Sequence, residues 1–518
     1  AGPRRGAGLF PGRVAPGAQR NRGRKGGFAA VTLLCAAALL VYWRSVAARA
    51  LPGTTAHQTE ELLDRQGLTL ESASASAVAV SSAAVASAAV VSSSETFASM
   101  QTPEWVFGGT WAPTQRAARE DKAGSPTLAC HATTLLHISG GRVLMAWFGG
   151  SYESAEDVGI WTSTRQAGSA GGWSSPAQAA KVFRNVPYGG KDLKHNGPYA
   201  TLEPPRLGRE PHWNPVLWCG DAGGSVNGGD GSGHGECTGR ILLYFKVGWR
   251  IHGWQTFVTE SHDQGLSWSE PQELVPGDVG GRGPVKNKPI LLSDGSWLAP
   301  ASLEAPLPGR RKAWRAFTDR STDQGRTWQK SSEAMPEDIA WGVIQPTLWE
   351  GPTPGHVHML CRSSRGTRMN VWRSDSEDNG RTWSVPQRTV LPNDNSGLDL
   401  AQLPHSKTLV LAYNPTMEER SPLRLSVSFD NGDTWPIGLD LETEGGLVLH
   451  GHEYSYPGIV AWPAASAEEE GVSVSYTWHR RHPAFFSISL AELKRRAVPN
   501  ELYPDPPLHP SKGHHHHG

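Results

Sequence analysis

Aromatic side chains stand beside amides and cations at several separated points of the chain. These are Trp213-Asn214-Pro215, Lys246 with Trp249 and Trp254, Arg282 in a Gly-Arg-Gly-Pro turn, Asn287-Lys288-Pro289, Asn395 in an Asn/Asp-rich loop, and Trp478 with Arg480 and Arg481. An indole face stacks on the C–H face of a pyranose, while amides and guanidinium groups hydrogen-bond its hydroxyls, so this mixture suits a sugar. Any single Trp is first of all a packing residue; the recurrence of the combination carries the reading. Metal chemistry is not expected. His131, His212, His252, His356, His358 and His452 are scattered, with no H-x-x-x-H or H-E-x-x-H spacing, and no C-x-x-C pair occurs. No cofactor motif is found either.

The elements that must position these residues announce themselves as a repeat. Ser261-His-Asp263-Gln-Gly265-Leu-Ser-Trp268 returns at Ser321–Trp328, Ser376–Trp383 and Ser428–Trp435, each fitting S-x-D-x-G-x-[ST]-W. Four fixed positions match by chance about once in a hundred thousand starts, so four spaced copies are no accident. In each octet the Asp can accept from backbone N–H groups of a tight turn, and the Gly supplies positive φ. The Trp is large enough to wedge between neighbouring sheets. Asp263, Asp323, Asp378 and Asp430 are therefore read as structural. The spacing of about 40 to 50 residues or slightly more suits four-stranded propeller blades. Alternating apolar segments at 143–148, 241–245, 288–292, 357–360, 408–413 and 472–477 count to six blades, or seven if a strand set hides between residues 164 and 206. Abundant Gly (59), Pro (39) and Trp (21) agree with an all-β chain of short strands and many turns.

The chain of 518 residues carries 49 basic and 49 acidic residues, so no charge excess points to nucleic acid. Residues 1–27 are basic, residues 28–43 form an uncharged run barely long enough for a bilayer core, and residues 44–103 are a low-complexity Ala/Ser/Val stem without bulky groups to bury. The run reads as a signal anchor, in contact with the membrane, or as a signal peptide, with a plastid transit peptide as the outside alternative. Either of the first two sends the rest into the secretory pathway, as a type II Golgi or cell-surface protein or a secreted one. The ordered domain is expected at 104–496, followed by a tail at 497–518 ending in a tag-like KGHHHHG. Cys219 and Cys237 flank a Gly-rich insert and either form a disulfide or stay free thiols.

Octets of this kind at this spacing resemble the Asp-box, or BNR, repeats of the sialidase-like (neuraminidase) superfamily, in particular its "predicted neuraminidase" branch, over residues 128 to 493. The resemblance implies a six-bladed β-propeller with a glycan substrate. It also implies an arginine triad for the sugar carboxylate, a Tyr nucleophile partnered by Glu, and an Asp acid/base. Carried over residue by residue, the leading arginine position reads His131, and Asp157 stands where the acid/base Asp would be. The Glu position reads Gln345, and the arginine one strand later is Arg362. Arg420, or alternatively Arg424, is the last triad arginine. Glu453-Tyr454-Ser455-Tyr456 resembles the nucleophile segment, with Tyr454 the first choice and Tyr456 the second. Strand alternation puts Tyr454 and Tyr456 on one face and Glu453 on the other.

Two arginines remain of three, and an amide replaces the carboxylate that would activate the tyrosine. Gln cannot take the phenolic proton, which leaves Glu304, Glu453 and His131 as candidate bases. Sugar contacts are expected from Arg362, Arg420, Gln345, Asn214, Arg282, Lys288, Asn395, Tyr456 and Arg480. The expectation is an exo-glycosidase, though not a typical sialidase, removing a terminal sugar differently shaped or less acidic than sialic acid, either a uronic acid or a deoxy sugar. The alternatives are a non-catalytic lectin and a polysaccharide lyase acting on a uronic-acid glycan.

Overall fold

A computed structural model describes residues 98–107, 126–166, 172–182, 210–221, 235–308, 313–337, 341–364, 369–443 and 453–501. The segments 1–27 and 28–43 and the stem up to residue 97 lie outside the described residues. Among the described residues no helix is long and apolar enough to cross a membrane.

Six antiparallel sheets, four of them built wholly from consecutive strands, make an all-β, six-bladed propeller. Their first, innermost strands are Ala129–Ile138, His212–Cys219, Ile290–Leu291, Val343–Glu350, Asp399–Gln402 and Tyr454–Ala461. Strands such as His212–Cys219 and Gly471–Trp478 are buried at every residue, because neighbouring blades cover both faces. The ring closes at both chain ends. Glu104–Trp105 adds the outer strand of blade six, pairing with Phe485 and Ala484. Val498–Pro499 adds a fifth strand to blade five against Ile437 and Gly438. Contacts extend beyond the expected 104–496 limits: the Met100 amide donates to the Ser487 carbonyl at 2.7 Å, and Asn500 bonds to Ser426 and the Trp435 carbonyl.

The octets do what their residues imply. In the Ser376–Trp383 copy, Asp378 accepts from Ser376 Oγ (2.8 Å), the Thr382 amide (2.9 Å) and Thr382 Oγ1 (2.6 Å). The other three copies repeat this set. Gly380 has φ +73°, and a Cβ there would lie 2.5 Å from Leu298 of the preceding blade, so the turn needs Gly twice over. The octet Trp residues wedge between blades: Trp383 Nε1 donates to Thr318 Oγ1, and Trp328 meets Tyr244 edge-on at 6.3 Å.

A second recurring device sits at the opposite ends of the innermost strands. Each blade carries one non-glycine residue with positive φ there: Ala132 (52°), Asn214 (43°), Lys286 (67°), Gln345 (51°), Asn395 (69°) and Tyr456 (52°). At four of them the strand register shifts, between His131 and Thr134, Trp213 and Val216, Ile344 and Thr347, and Ser455 and Gly458. A bulge re-aims a side chain, and left-handed non-glycine residues are strained by about 1–3 kcal/mol. Six such residues in one layer mark where the fold spends stability on geometry.

Candidate active site

The strained layer gathers a polar cluster around Tyr456. Arg362, from the strand Val357–Ser363, donates to the Tyr456 hydroxyl (2.5 Å), Gln345 Oε1 (2.9 Å) and Asn395 Oδ1 (3.1 Å). The guanidinium carbons of Arg362 and Arg420 lie 5.5 and 5.4 Å from the centre of the Tyr456 ring. Glu453 bridges Arg420 (2.7 Å) and Arg480 (2.8 Å) and also accepts from Ser455 Oγ. Arg480 in turn pairs with Glu153. The His131 ring lies 4.1 Å from that of Tyr456. Blades one, four, five and six thus converge on one point.

Burial alone would raise the Glu453 carboxyl, but the neighbouring His131, Arg480 and Arg420 outweigh it and hold the group well below the usual carboxylate range. Burial pushes the His131 ring well below its ordinary value, and the nearby arginines push the same way, so the ring is neutral. With His131 neutral, Arg480 and Arg420 are what keep Glu453 ionised. Three guanidinium groups then face two carboxylates, Glu453 and Glu153. Among the described residues Arg362 has neutral partners only, and it is 7% exposed. Within this layer Lys286, pushed down by burial to about 7, donates to the carbonyls of Leu398 (2.8 Å) and Pro457. Asn287 Nδ2 donates to the carbonyls of Gln345 (3.2 Å) and Pro346 (2.9 Å). These bonds hold the bulges that carry Tyr456 and Gln345.

Several expected site residues lie elsewhere. Tyr454 is buried at 1% exposure in an apolar cluster with Trp105, Leu423, Tyr476 and Trp478, not beside Arg362. The bulge at Tyr456 breaks the two-residue alternation, so the two tyrosines do not share a face and Tyr456 takes the central place. Asp157 folds back on its own loop and accepts from the Ser151 amide (3.0 Å) and hydroxyl (2.5 Å). The carboxylate of that loop which reaches the cluster is Glu153. Arg282 is bound to Asp319, Asp278 and the Trp328 carbonyl inside blade three, and Lys288 to Asp399 (3.0 Å). Both serve packing. Arg424 pairs with Asp440 on the outer side of blade five. Glu304 ends its strand opposite Trp314, whose ring is 5.6 Å from the Arg362 guanidinium carbon, so it lies at the site end of blade three. Asn214 is buried on the blade-two bulge, next to Trp213 and Trp254, whose rings are 5.0 Å apart. Cys219 and Cys237 form a disulfide. Among the described residues no group of His, Cys, Asp or Glu could hold a metal ion.

A cavity of about 620 Å³ lies at the octet end of the axis, lined by Leu135, Leu217, Leu291, Leu348, Leu400 and Val460. It contains neither Tyr456 nor Arg362 and belongs to the bottom of the propeller.

The model of the BNR repeat-like domain family matches residues 141–467. No curated protein matches the chain by sequence. Among solved structures, the Hadza microbial sialidase Hz136 is similar at 17% identity and TM-score 0.51, over 71% of this chain and 67% of that one. A mutant of the NanB sialidase from Streptococcus pneumoniae is similar at 13% identity and TM-score 0.51, over 76% of this chain and 71% of that one. At these identities the likeness is one of fold.

Proposed function

The chain belongs to the BNR repeat-like domain family, and on that footing we propose that it is a glycan-active enzyme releasing a terminal sugar that carries one carboxylate. The observation that carries this reading is Arg362: a buried guanidinium whose partners Gln345, Asn395 and Tyr456 are all neutral. A buried cation without a counter-ion is costly, and a ligand carboxylate is the group that offsets it. Tyr456 then faces the anomeric carbon as nucleophile or stabiliser. With the substrate carboxylate held at Arg362, which also bonds the Tyr456 hydroxyl, a neutral phenol escapes the repulsion a carboxylate nucleophile would meet there. If Tyr456 attacks, its phenolic proton passes to the neutral imidazole of His131, whose ring lies against it, and the phenolate character left on the oxygen is met by the Arg362 guanidinium already bonded to it. Gln345 and Asn395 orient Arg362 and offer amides to the sugar. The loop 151–157 brings two carboxylates, Glu153 and Asp157, to the same side of the pocket, and one of them protonates the leaving oxygen.

Arg420 and Arg480 are engaged by Glu453 and Glu153, so the pocket offers one uncompensated charge rather than a triad. One arginine grips a carboxylate less firmly than three, so the pocket departs from a typical sialidase site and suits a uronic acid as well. One observation favours a second reading. The Tyr456 hydroxyl bonds to Arg362, and the residue beside it is the amide Gln345, which cannot accept a proton, as suits a binding module. The disulfide supports residence in an oxidising compartment such as the secretory lumen, with residues 28–43 as membrane anchor or signal peptide.

A panel of acidic and neutral glycans with mass-spectrometric product analysis tests the proposal. A hydrolase adds one water and frees an acidic monosaccharide, and Tyr456→Phe abolishes turnover. A lyase leaves an unsaturated uronate absorbing in the ultraviolet, and a binder leaves the glycan whole. Asp157→Asn and Glu153→Gln, assayed on the released sugar, separate the two candidate acids.

A further inference from the structure

His131 is 2% exposed, and neither of its ring nitrogens has a hydrogen-bond partner among the described residues. Buried polar atoms left unpaired cost about 1–3 kcal/mol each, and in a native structure they ask for an explanation. The ring is not surplus packing on a remote face. It lines a recess of about 30 Å³ whose rim carries Glu153 and Arg480, and it lies against Tyr456 at 4.1 Å. Phe148 closes the other side edge-on at 5.8 Å. Gly149 and Gly150 complete the wall, and the packing behind them is tight. A Cβ on Gly150 would lie 2.8 Å from Asp157 Oδ1 and 2.9 Å from the Val158 backbone, and one on Gly149 would lie 2.8 Å from Thr127. The recess therefore cannot widen in that direction, and it holds roughly one or two water-sized groups.

We propose that this recess is a subsite for one unsubstituted sugar hydroxyl, read by His131, and that it sets the specificity of the pocket. The inference rests on the reading of the Tyr456 cluster as a sugar site. A neutral imidazole presents one N–H donor and one bare nitrogen acceptor, the same pair of functions a hydroxyl offers in return. A carboxylate could use only the donor, and it finds a full charge at Arg362 instead. The substrate is thus placed by charge at Arg362 and by a neutral hydroxyl at His131, on two sides of Tyr456. Acylation of that hydroxyl would leave no room for it in the recess.

The test titrates the protein with D-glucuronate, D-galacturonate and D-glucose, following the His131 ring nitrogens by NMR. His131→Phe, which keeps the stack on Tyr456, serves as control, and monodeoxy forms of the sugar that binds tightest extend the series. The His131 resonances are expected to move with sugar. One monodeoxy form should bind the wild type about tenfold more weakly than its parent but bind His131→Phe as well as the parent does. His131→Gln, which restores a donor and an acceptor, should recover part of the discrimination. Sugar binding with unmoved His131 resonances, or an unchanged deoxy penalty in His131→Phe, overturns the subsite and leaves the role of Arg362 standing. Binding of no sugar at all overturns both readings. Equal binding of glucuronate and glucose with a moving His131 retains the subsite and removes the carboxylate.

Discussion

Arg362 and Gln345 form the pair on which the chemistry turns. The guanidinium donates to the amide oxygen at 2.9 Å and keeps its full charge, because an amide neutralises nothing. Gln345→Glu would place a carboxylate at that distance and cancel the charge the ligand is meant to meet. We therefore expect this substitution to weaken binding of an acidic monosaccharide by roughly tenfold to a hundredfold, measured by calorimetric titration, while binding of a neutral sugar changes little. Tighter binding of the acidic sugar would contradict the assignment. At this scale the sequence was partly legible. Arg362, Arg420, Gln345 and Asn395 could be singled out as candidates by residue type and by their order among the octets, although Gln345 sits on a bulge and Asn395 in a loop. Nothing in the residue types signals the bulge that sends Tyr454 into an apolar cluster, or the turn that bonds Asp157 to Ser151 of its own loop. Glu153 and Lys286 gave no signal, since nothing in Ser-Tyr-Glu-Ser or Val-Lys-Asn-Lys distinguishes a site residue from a surface one.

Two devices work at the scale of the element, and they differ in how far they can be read. The octet closes its turn within eight positions: Ser, Asp, Gly and the hydroxyl residue bond to one another, so their types alone reveal the structure. Asp378 accepts from Ser376, Arg381 and Thr382. Asp378→Ala is expected to destabilise the protein by about 2–4 kcal/mol, seen as a lower denaturant midpoint, by stripping several turn donors of their acceptor at once. The change should leave sugar binding intact, because the octets lie at the opposite ends of the blades from Tyr456. The strained layer is harder to read. Ala132, Lys286, Gln345 and Tyr456 have no preference for positive φ; the ring they lie in imposes it. The traces in sequence are the Asn at 214 and 395, a type that tolerates positive φ, and the Pro following Asn214, Gln345 and Tyr456, which cannot donate to the ladder where the register shifts.

For the molecule as a whole, closure and buried ionisable groups set the stability. Glu104–Trp105 fastens the first described segment to the last blade, with the Trp105 ring stacked on His482 at 4.6 Å and tilted against Trp478 at 4.9 Å. Burial pushes His131 well below its ordinary value and His137 to about 3, and pushes Lys246 and Lys286 down to about 7. In each case the unfolded chain takes up a proton that the folded one refuses, so stability falls as pH falls. The lysines act between about 10.5 and 7, and the histidines below about 6.5. Glu453, held low, adds a further loss once pH drops under the ordinary carboxylate value. Buried Cys130 and Cys361, pushed up, offset the two lysines above about pH 8.5 and flatten the slope there. The denaturant midpoint should therefore rise from pH 5 to about 8.5, and a midpoint higher at pH 5 than at pH 8 would contradict this accounting.

Calorimetric titration of D-glucuronate against D-glucose, on the wild type and on Arg362→Gln, reaches the core of the account most directly. The wild type should bind the acidic sugar at least tenfold more tightly, and the preference should vanish in the variant. Equal affinity of the wild type for both sugars, or a preference that survives the loss of Arg362, would show that the charge at the propeller's centre does not choose the substrate.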